Sequence, residues 1–244
     1  MNWNDTNVVV TGGSRGLGAA LADELSARGA GVVLVARGKE ALDETVRGLQ
    51  ARGRRVLGVV ADVADKDSTH RIAALAHEFL GRVDVLIHNA STLGPVPLRA
   101  LLDTECEDLA AVLETNVVGP FRLTKALVGP MVLRRAGTVL HVSSDAAVEG
   151  YPAWGAYGAS KAAADQLHRV LAAELKGVGV RVLSVDPGEM DTRMHADAVP
   201  EADRASLQRP EVVARAIRRV LEARDGVATG ARVSASAYLA EVAS

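Results

Sequence analysis

Seven short apolar runs recur along the chain, at 8–11, 32–36, 56–61, 83–88, 138–143, 180–186 and 231–235. Each is continuously apolar rather than alternating, the pattern of parallel strands covered on both faces. Between the runs, apolar residues recur at helical spacing. Leu17, Leu21 and Leu25 stand four apart, with Gly29 where such a helix should stop, and Leu167, Leu171 and Leu175 repeat the pattern. Strand and helix alternating in this rhythm predict an α/β protein built on a doubly wound parallel sheet with helices on both faces. No linker, repeat, low-complexity tract or change of composition divides the pattern, so residues 1–244 are expected to form one domain.

One helical stretch carries its own flaw. "ECEDLAAVLETNVVGPFRLTKALV", residues 105–128, reads as a long helix, but Pro120 has no N–H to give to the carbonyl of Asn116, and Gly119 weakens the helix beside it. A kink freeing the Asn116 carbonyl is expected there.

Composition narrows the partners. The chain has 244 residues and a formal net charge of -2, with no long basic run, so nucleic acid is not an expected partner. The single cysteine, Cys106, excludes an intrachain disulfide and a cysteine-based zinc cluster, and its acidic neighbours disfavour a thiolate. The histidines, His141 and His195 among them, lack ligand spacing, so no metal is expected. The start shows no signal-peptide pattern, and no apolar run approaches the ~18 residues of a membrane span. A soluble, cytoplasmic protein is expected.

The first candidate chemistry is "VVVTGGSRGLGAALADELSARG". It reads as a strand, a glycine-rich turn and a helix, the context in which a helix N-terminus receives a dinucleotide pyrophosphate. Gly12, Ser14, Arg15, Gly16, Leu17 and Gly18 are its candidate cofactor contacts. The second strand ends in Ala36 and Arg37, where an NAD site usually carries an acidic residue for the ribose hydroxyl. Arg15 and Arg37 would instead pair with a 2′-phosphate. A hydrogen bond to a charged group is worth roughly 1.5–3 kcal/mol, so NADP(H) is expected over NAD(H) by at least about tenfold. The alternative is that both arginines are merely solvated.

The second is "AYGASKAAA", residues 156–164. Tyr157 and Lys161 stand one helical turn apart, so both polar heads leave one face. An adjacent ammonium favours the phenolate and an oxidised nicotinamide adds a second positive charge, so Lys161 is expected to lower the pKa of Tyr157 toward neutrality and make it an exchangeable proton donor. Ser144, at the end of the fifth strand, can bond a substrate oxygen.

These segments occur in order with "ADV" at 61–63, "HNAS" at 88–91, "NVVG" at 116–119, "VSS" at 142–144 and "PGEMDT" at 187–192. The ordered set resembles the short-chain dehydrogenase/reductase family, in its ordinary-length branch. The resemblance implies a Rossmann-type fold with seven parallel strands and a catalytic tetrad of Asn116, Ser144, Tyr157 and Lys161. It selects Ser144 over Ser143 by spacing. It further implies that Asp62 and Val63 meet the adenine, that Asn89 and Ala90 line the cofactor cleft, that Pro187, Gly188 and Thr192 flank the nicotinamide, and that Lys161 binds the ribose. A homodimer or homotetramer is expected. At Asn116 the family holds a water that links the lysine to solvent.

Substrate contacts are less defined. Asp145, Tyr151 and Trp154 lie between two tetrad members, and Met190, Met194 and His195 belong to a long segment expected to form a substrate lid at about 189–209. Asp145 and Glu149 also read as solvated loop acids. His88 and Ser91 depart from the family's asparagine and glycine, and His88 reads as a hydrogen-bonded residue at a strand end. The family's glycine-rich end is replaced by "TGARVSASAYLAEVAS". The expected function is NADPH-dependent reduction of a ketone or aldehyde, or the reverse oxidation, on a small-molecule carbonyl or alcohol. An NADP(H)-binding regulator or scaffold without turnover is the rival, and an isomerase or dehydratase a further one.

Overall fold

A computed structural model describes residues 1–223 and 226–239. Its strands are β1 (Asn7–Thr11), β2 (Gly31–Ala36), β3 (Val56–Val60), β4 (Val85–His88), β5 (Gly137–Val142), β6 (Val180–Asp186) and β7 (Arg232–Ser234). All are parallel neighbours in one sheet of order β3-β2-β1-β4-β5-β6-β7. Every apolar run of the sequence is therefore a strand.

The helices are α1 (Gly16–Ser26), α2 (Lys39–Gln50), α3 (Ser68–Leu80), α4 (Cys106–Leu113), α5 (Gly119–Leu133), α6 (Gly155–Glu174), α7 (Arg193–Ala198) and α8 (Pro210–Glu222). Successive residues of β1 explain the continuous apolar pattern. Val8 and Val10 face Leu21 and Leu25 of α1 and Ile217 of α8, whereas Val9 faces the opposite layer, with Leu123 and Leu127 of α5. Both sets are fully buried, and each such side chain contributes about 1.5–3 kcal/mol.

The long helix breaks where Pro120 requires. Between α4 and α5, residues Glu114–Val118 form a π turn, and the Gly119 N–H donates to the Glu114 carbonyl, one residue wider than an α-helical bond. Gly119 also lets α5 approach the chain after β3, since a Cβ there would collide with the Val63 carbonyl. The break leaves Asn116 fully buried, facing inward.

The strand order reverses between β1 and β4, which lie side by side at the centre of the sheet. This is the position at which a doubly wound sheet opens a crevice beyond its strand ends. At the edge, the atypical C-terminal segment supplies β7 and a 3-10 turn, Ala235–Tyr238, whose Tyr238 carbonyl accepts a bond from Arg219 at 2.7 Å. Residues 240–244 of that segment lie outside the described residues. Among the described residues, no helix is long and apolar enough to cross a membrane.

Three histidines fill the space between β4, β5 and α6. His88 and His141 are register partners, and His168 of α6 stacks on His141 at 4.8 Å and meets His88 edge-on at 5.8 Å. His88 Nε2 bonds the Thr124 hydroxyl at 2.8 Å, and His168 Nδ1 bonds the Ala164 carbonyl at 2.7 Å. His88 is thus a hydrogen-bonded strand-end residue. Neither nitrogen of His141 has a hydrogen-bond partner among the described residues. Burial first, then the charge of neighbouring groups, pushes His88 and His141 well below the usual imidazole pKa and His168 below it too, although the Ala164 bond and Asp165 oppose the shift at His168.

All three are neutral in the folded chain and protonate more readily when it unfolds. Their contribution is complete above the unfolded value of about 6.5 and is lost as pH falls from there toward the folded values. Urea unfolding at pH 7.5, 6 and 5 should therefore show stability falling by up to about 1.4 kcal/mol per pH unit for each histidine. His141→Asn should reduce that slope by about one proton's worth. A slope unchanged by the substitution would contradict the assignment.

Candidate functional site

A cleft of about 710 Å³ runs along the ends of the strands. At one side stands the N-terminus of α1, where Arg15 is the cap residue and no side chain caps the helix. Its first N–H groups are therefore free to bind an anion. Gly12, Ser14, Arg15, Gly16 and Leu17 line the cleft here. Gly18 lies beneath it, because a Cβ at that position would fall inside the Gly12 carbonyl. Its lack of a Cβ lets α1 pack against the turn.

The turn is held from below by residues after β4. Asn89 Nδ2 donates to the carbonyls of Thr11 and Gly12 at 2.9 and 3.1 Å. The backbone N–H groups of Asn89 and Ala90 both donate to Thr11 Oγ1 at 3.1 Å, and that buried hydroxyl donates to the Ile87 carbonyl at 3.4 Å. Thr11 was not singled out from the sequence. Only its place at the end of β1, before the first glycine, marks it.

Farther along, Ala36 and Arg37 after β2, Asp62 and Val63 after β3, and Asn89 and Ala90 line the same cleft. Arg37 pairs with Asp62 at 3.6 Å, with the arginine largely in solvent and the aspartate half-buried. Such an exposed pair is worth at most about 1 kcal/mol, so a phosphate can compete for the guanidinium. Pro187 and Thr192 form the opposite wall with Met190 and Met194. Gly188 does not line it; it turns the chain after β6 and donates its N–H to Asp186 at 3.0 Å. An uncapped helix start, two arginines and no carboxylate at the tip of β2 fit a dinucleotide carrying an extra phosphate.

Tyr157 and Lys161 form the floor, both buried on α6. Lys161 Nζ donates to the Val142 carbonyl at 2.8 Å and lies over the Tyr157 ring, 5.4 Å from its centroid. Burial pushes the phenol up to about 12. The Ser144 and Ser91 hydroxyls, hydrogen-bonded to it, act against that rise, whereas Asp145 and Asp186 add to it. Burial also lowers Lys161 to about 8, against the pull of Asp165. The expected easing of tyrosine ionisation by lysine is thus corrected for the chain alone. The ammonium sits over the ring face and is itself desolvated, so loss of water dominates both groups.

Ser144 faces the phenol and gives its own proton to Asp145 at 2.9 Å, whereas Ser143 turns inward to Asp165 at 2.7 Å. Asn116 is locked. Its Oδ1 accepts from the Thr92 N–H at 2.8 Å and the Ser91 hydroxyl at 3.2 Å, and its Nδ2 donates to the Thr92 carbonyl at 2.8 Å and to Ser160 at 2.9 Å. Asn116 therefore ties α6 to the chain after β4, and its side chain does not line the cleft.

The candidate substrate residues separate. Trp154 stands edge-on to Tyr157 at 5.7 Å and belongs with Leu93, Leu98, Met194 and Ala198 to one apolar cluster. A recess of about 20 Å³ adjoins it, lined by Leu93, Leu98, Arg99, Ala156 and Tyr157. Asp145 and Tyr151 are exposed and outside the cleft wall, with the tyrosine hydroxyl donating to the carboxylate at 2.9 Å. His195 bonds Glu189 at 3.4 Å rather than facing the cleft.

The family of short chain dehydrogenases matches residues 6–203. A short chain dehydrogenase of Pseudocercospora fijiensis is 37% identical over 201 residues, 80% of this chain and 63% of that protein. The 3-oxoacyl-[acyl-carrier-protein] reductase of Synechocystis is 35% identical over 86% of either chain. The crystal structure of an actinorhodin polyketide ketoreductase with NADPH superposes with a TM-score of 0.87, 27% identity and coverage of 96% of this chain and 97% of that one.

The hydroxyl of Thr11 makes a testable claim on the turn. Thr11→Val keeps the shape but leaves two part-buried N–H groups without their acceptor, and should cost about 1–3 kcal/mol in urea unfolding. A loss well under that range would show that the turn does not depend on the hydroxyl.

Proposed function

The chain belongs to the short-chain dehydrogenase/reductase family of oxidoreductases, and from that premise we propose that it reduces a ketone or aldehyde with NADPH, or carries out the reverse oxidation. The observation that carries the proposal is the placing of Tyr157 and Lys161 at the floor of a cleft whose far end presents Arg15 and Arg37, with the Ser144 hydroxyl bonded to the phenol from beside it. The ketoreductase similar in structure holds NADPH.

A nicotinamide bound in the cleft supplies the hydride. The free N–H groups of α1 take the pyrophosphate. Arg15 and Arg37 take the 2′-phosphate, and Asp62 and Val63 meet the adenine. Pro187 and Thr192 hold the nicotinamide side of the cleft. Ser144 donates its hydroxyl to the carbonyl oxygen in place of Asp145, and Tyr157 delivers its proton to that oxygen as charge develops there. A phenol held near 12 stays protonated at neutral pH, ready to give a proton in the reductive direction. Lys161 binds the ribose and adds positive charge beneath the phenol. Asn116 keeps α6 in place, and the interruption at Pro120 opens the helix beside it for a water relay.

The apolar cluster of Leu93, Leu98, Trp154 and Met194 suits a substrate with a hydrocarbon flank beside its carbonyl. The 189–209 segment acts as a lid. It starts and ends on one bridge, Met190 to Gln208, is pinned by Arg204 to Asp191 at 2.7 Å, and places Met194 of α7 on the cleft. Exposed Phe121, Leu167 and Val170 on α5 and α6 support a homodimer or homotetramer.

Steady-state kinetics on a ketone and aldehyde panel test the reading. NADPH should exceed NADH at least about tenfold in kcat/KM, and Arg15→Ala with Arg37→Ala should remove most of the difference. Equal efficiency with the two cofactors would refute the cofactor assignment. Tyr157→Phe should lower kcat about 10²-fold or more while leaving NADPH affinity unchanged. NADPH binding without turnover across the panel would favour a regulator.

A further inference from the structure

Behind Ser144, on the side away from the cofactor, carboxylates gather around one cation. Arg232 lies on β7, and since Val233 packs into the α1 and α8 layer, the alternation of the strand turns Arg232 toward α6. Its Nη2 donates to the Ser144 carbonyl at 2.7 Å and to Asp186 at 3.1 Å, and its Nε donates to Asp165 at 3.2 Å. The three partners come from the end of β5, the end of β6 and the middle of α6. The guanidinium and both carboxylates are mostly buried, with side-chain exposures of 23%, 14% and 6% for Arg232, Asp186 and Asp165. This is the planar, forked recognition that a guanidinium provides and an ammonium does not.

We propose that Arg232 is a positioning residue for the Ser144 and Tyr157 pair. It fixes the Ser144 backbone so that the hydroxyl faces the phenol, and it balances Asp165 and Asp186 so that no uncompensated anion stands behind the group that donates the proton. The proposal rests on the function proposed above.

Titratable groups stand around the pair on several elements, the histidines among them neutral. Lys161, Asp165 and His168 face it from α6, His141 from β5, Asp145 from the turn after β5, and Asp186 from β6. Asp145 and Asp186 already oppose phenol ionisation. Burial would raise Asp145, but hydrogen bonds from Ser144, Tyr151 and Ala146, with the charge of Arg232, hold it below the usual carboxylate range. Arg232 thus acts on all three carboxylates nearest the serine. Replacing it with an apolar residue leaves two buried carboxylates facing the site without their cation. A lysine restores the charge but cannot hold all three partners.

The test reads the phenol directly, so it does not depend on turnover. The full chain is labelled with meta-fluorotyrosine, whose fluorine lowers phenol pKa and brings the titration into an accessible range. The Tyr157 signal is identified by its loss in Tyr157→Phe. Arg232→Met should move the Tyr157 midpoint up by about one pH unit, with Tyr151 moving less, and Asp186→Asn should move it down. Arg232→Lys should restore the midpoint but not the fluorine shift that reports the Ser144 contact. With turnover, the alkaline limb of kcat/KM should move with the midpoint, and kcat should fall while KM for the cofactor holds. A lower melting temperature with an unmoved midpoint would reduce Arg232 to a structural brace and overturn the proposal. Should Arg232→Met not fold, Asp186→Asn decides alone, and an unmoved midpoint there overturns it equally. Failure to reduce any carbonyl, with the midpoints moving as stated, would overturn the proposed function and leave the electrostatic role of Arg232 standing.

Discussion

A lysine with 2% of its surface exposed, at the bottom of a cleft, is the constraint around which this site is built. An ammonium taken out of water must be given polar partners or lose its charge. Lys161 is given the Val142 carbonyl and the field of Asp165, and even so burial lowers its pKa to about 8. That bond fixes α6 along the end of β5, and Tyr157, one turn earlier on the same face, follows. Asp165, one turn later, must then be satisfied in its own right. Ser143 donates to it from β5, and Arg232 reaches it from β7. A single buried cation therefore draws the ends of two strands and one helix into register.

The opposite end of the cleft obeys a different rule. Its groups are backbone N–H donors and exposed arginines, which cost little to maintain in water and gain most when an anion arrives. Rigidity there comes from hydrogen bonds beneath the turn. Thr11 and Asn89 hold the glycine-rich segment from the β4 side of the switch point. The two ends are thus pre-organised by different means, one by buried electrostatics and one by backbone geometry.

The fold was legible because burial on both sheet faces writes itself into composition: Val8, Val9 and Val10 are all apolar in sequence since Val8 and Val10 meet one helix layer and Val9 the other. The break at Asn116 was legible because Pro120 removes a specific donor. The candidate pair was legible because four residues make one helical turn. Long-range partners were not. Nothing in the local sequence says that Thr92 and Ser160 will enclose Asn116, that Tyr151 will turn outward to Asp145, or that Arg232 will come to lie behind Ser144 across 88 residues. The rise of the phenol in the chain alone was not legible for a related reason. Spacing reveals a neighbour's charge, but the water that both groups lose depends on the whole cleft.

That balance of desolvation and charge also explains why the site tolerates so many carboxylates. Asp145, Asp165 and Asp186 lie close to a group that must release and regain a proton, and anions there hold the proton more tightly. For a donor in the reductive direction, a tightly held proton is safe but slow to leave. The charge that favours its departure must come from the cofactor side, from Lys161 beneath the ring and from the ligand itself. The charge that keeps the carboxylates from adding further cost must come from the other side, where Arg232 stands. Placing the cations on both flanks of the phenol lets one set respond to the bound ligand while the other stays constant. On the proposed reaction, the phenol keeps its proton until a carbonyl is in place to take it.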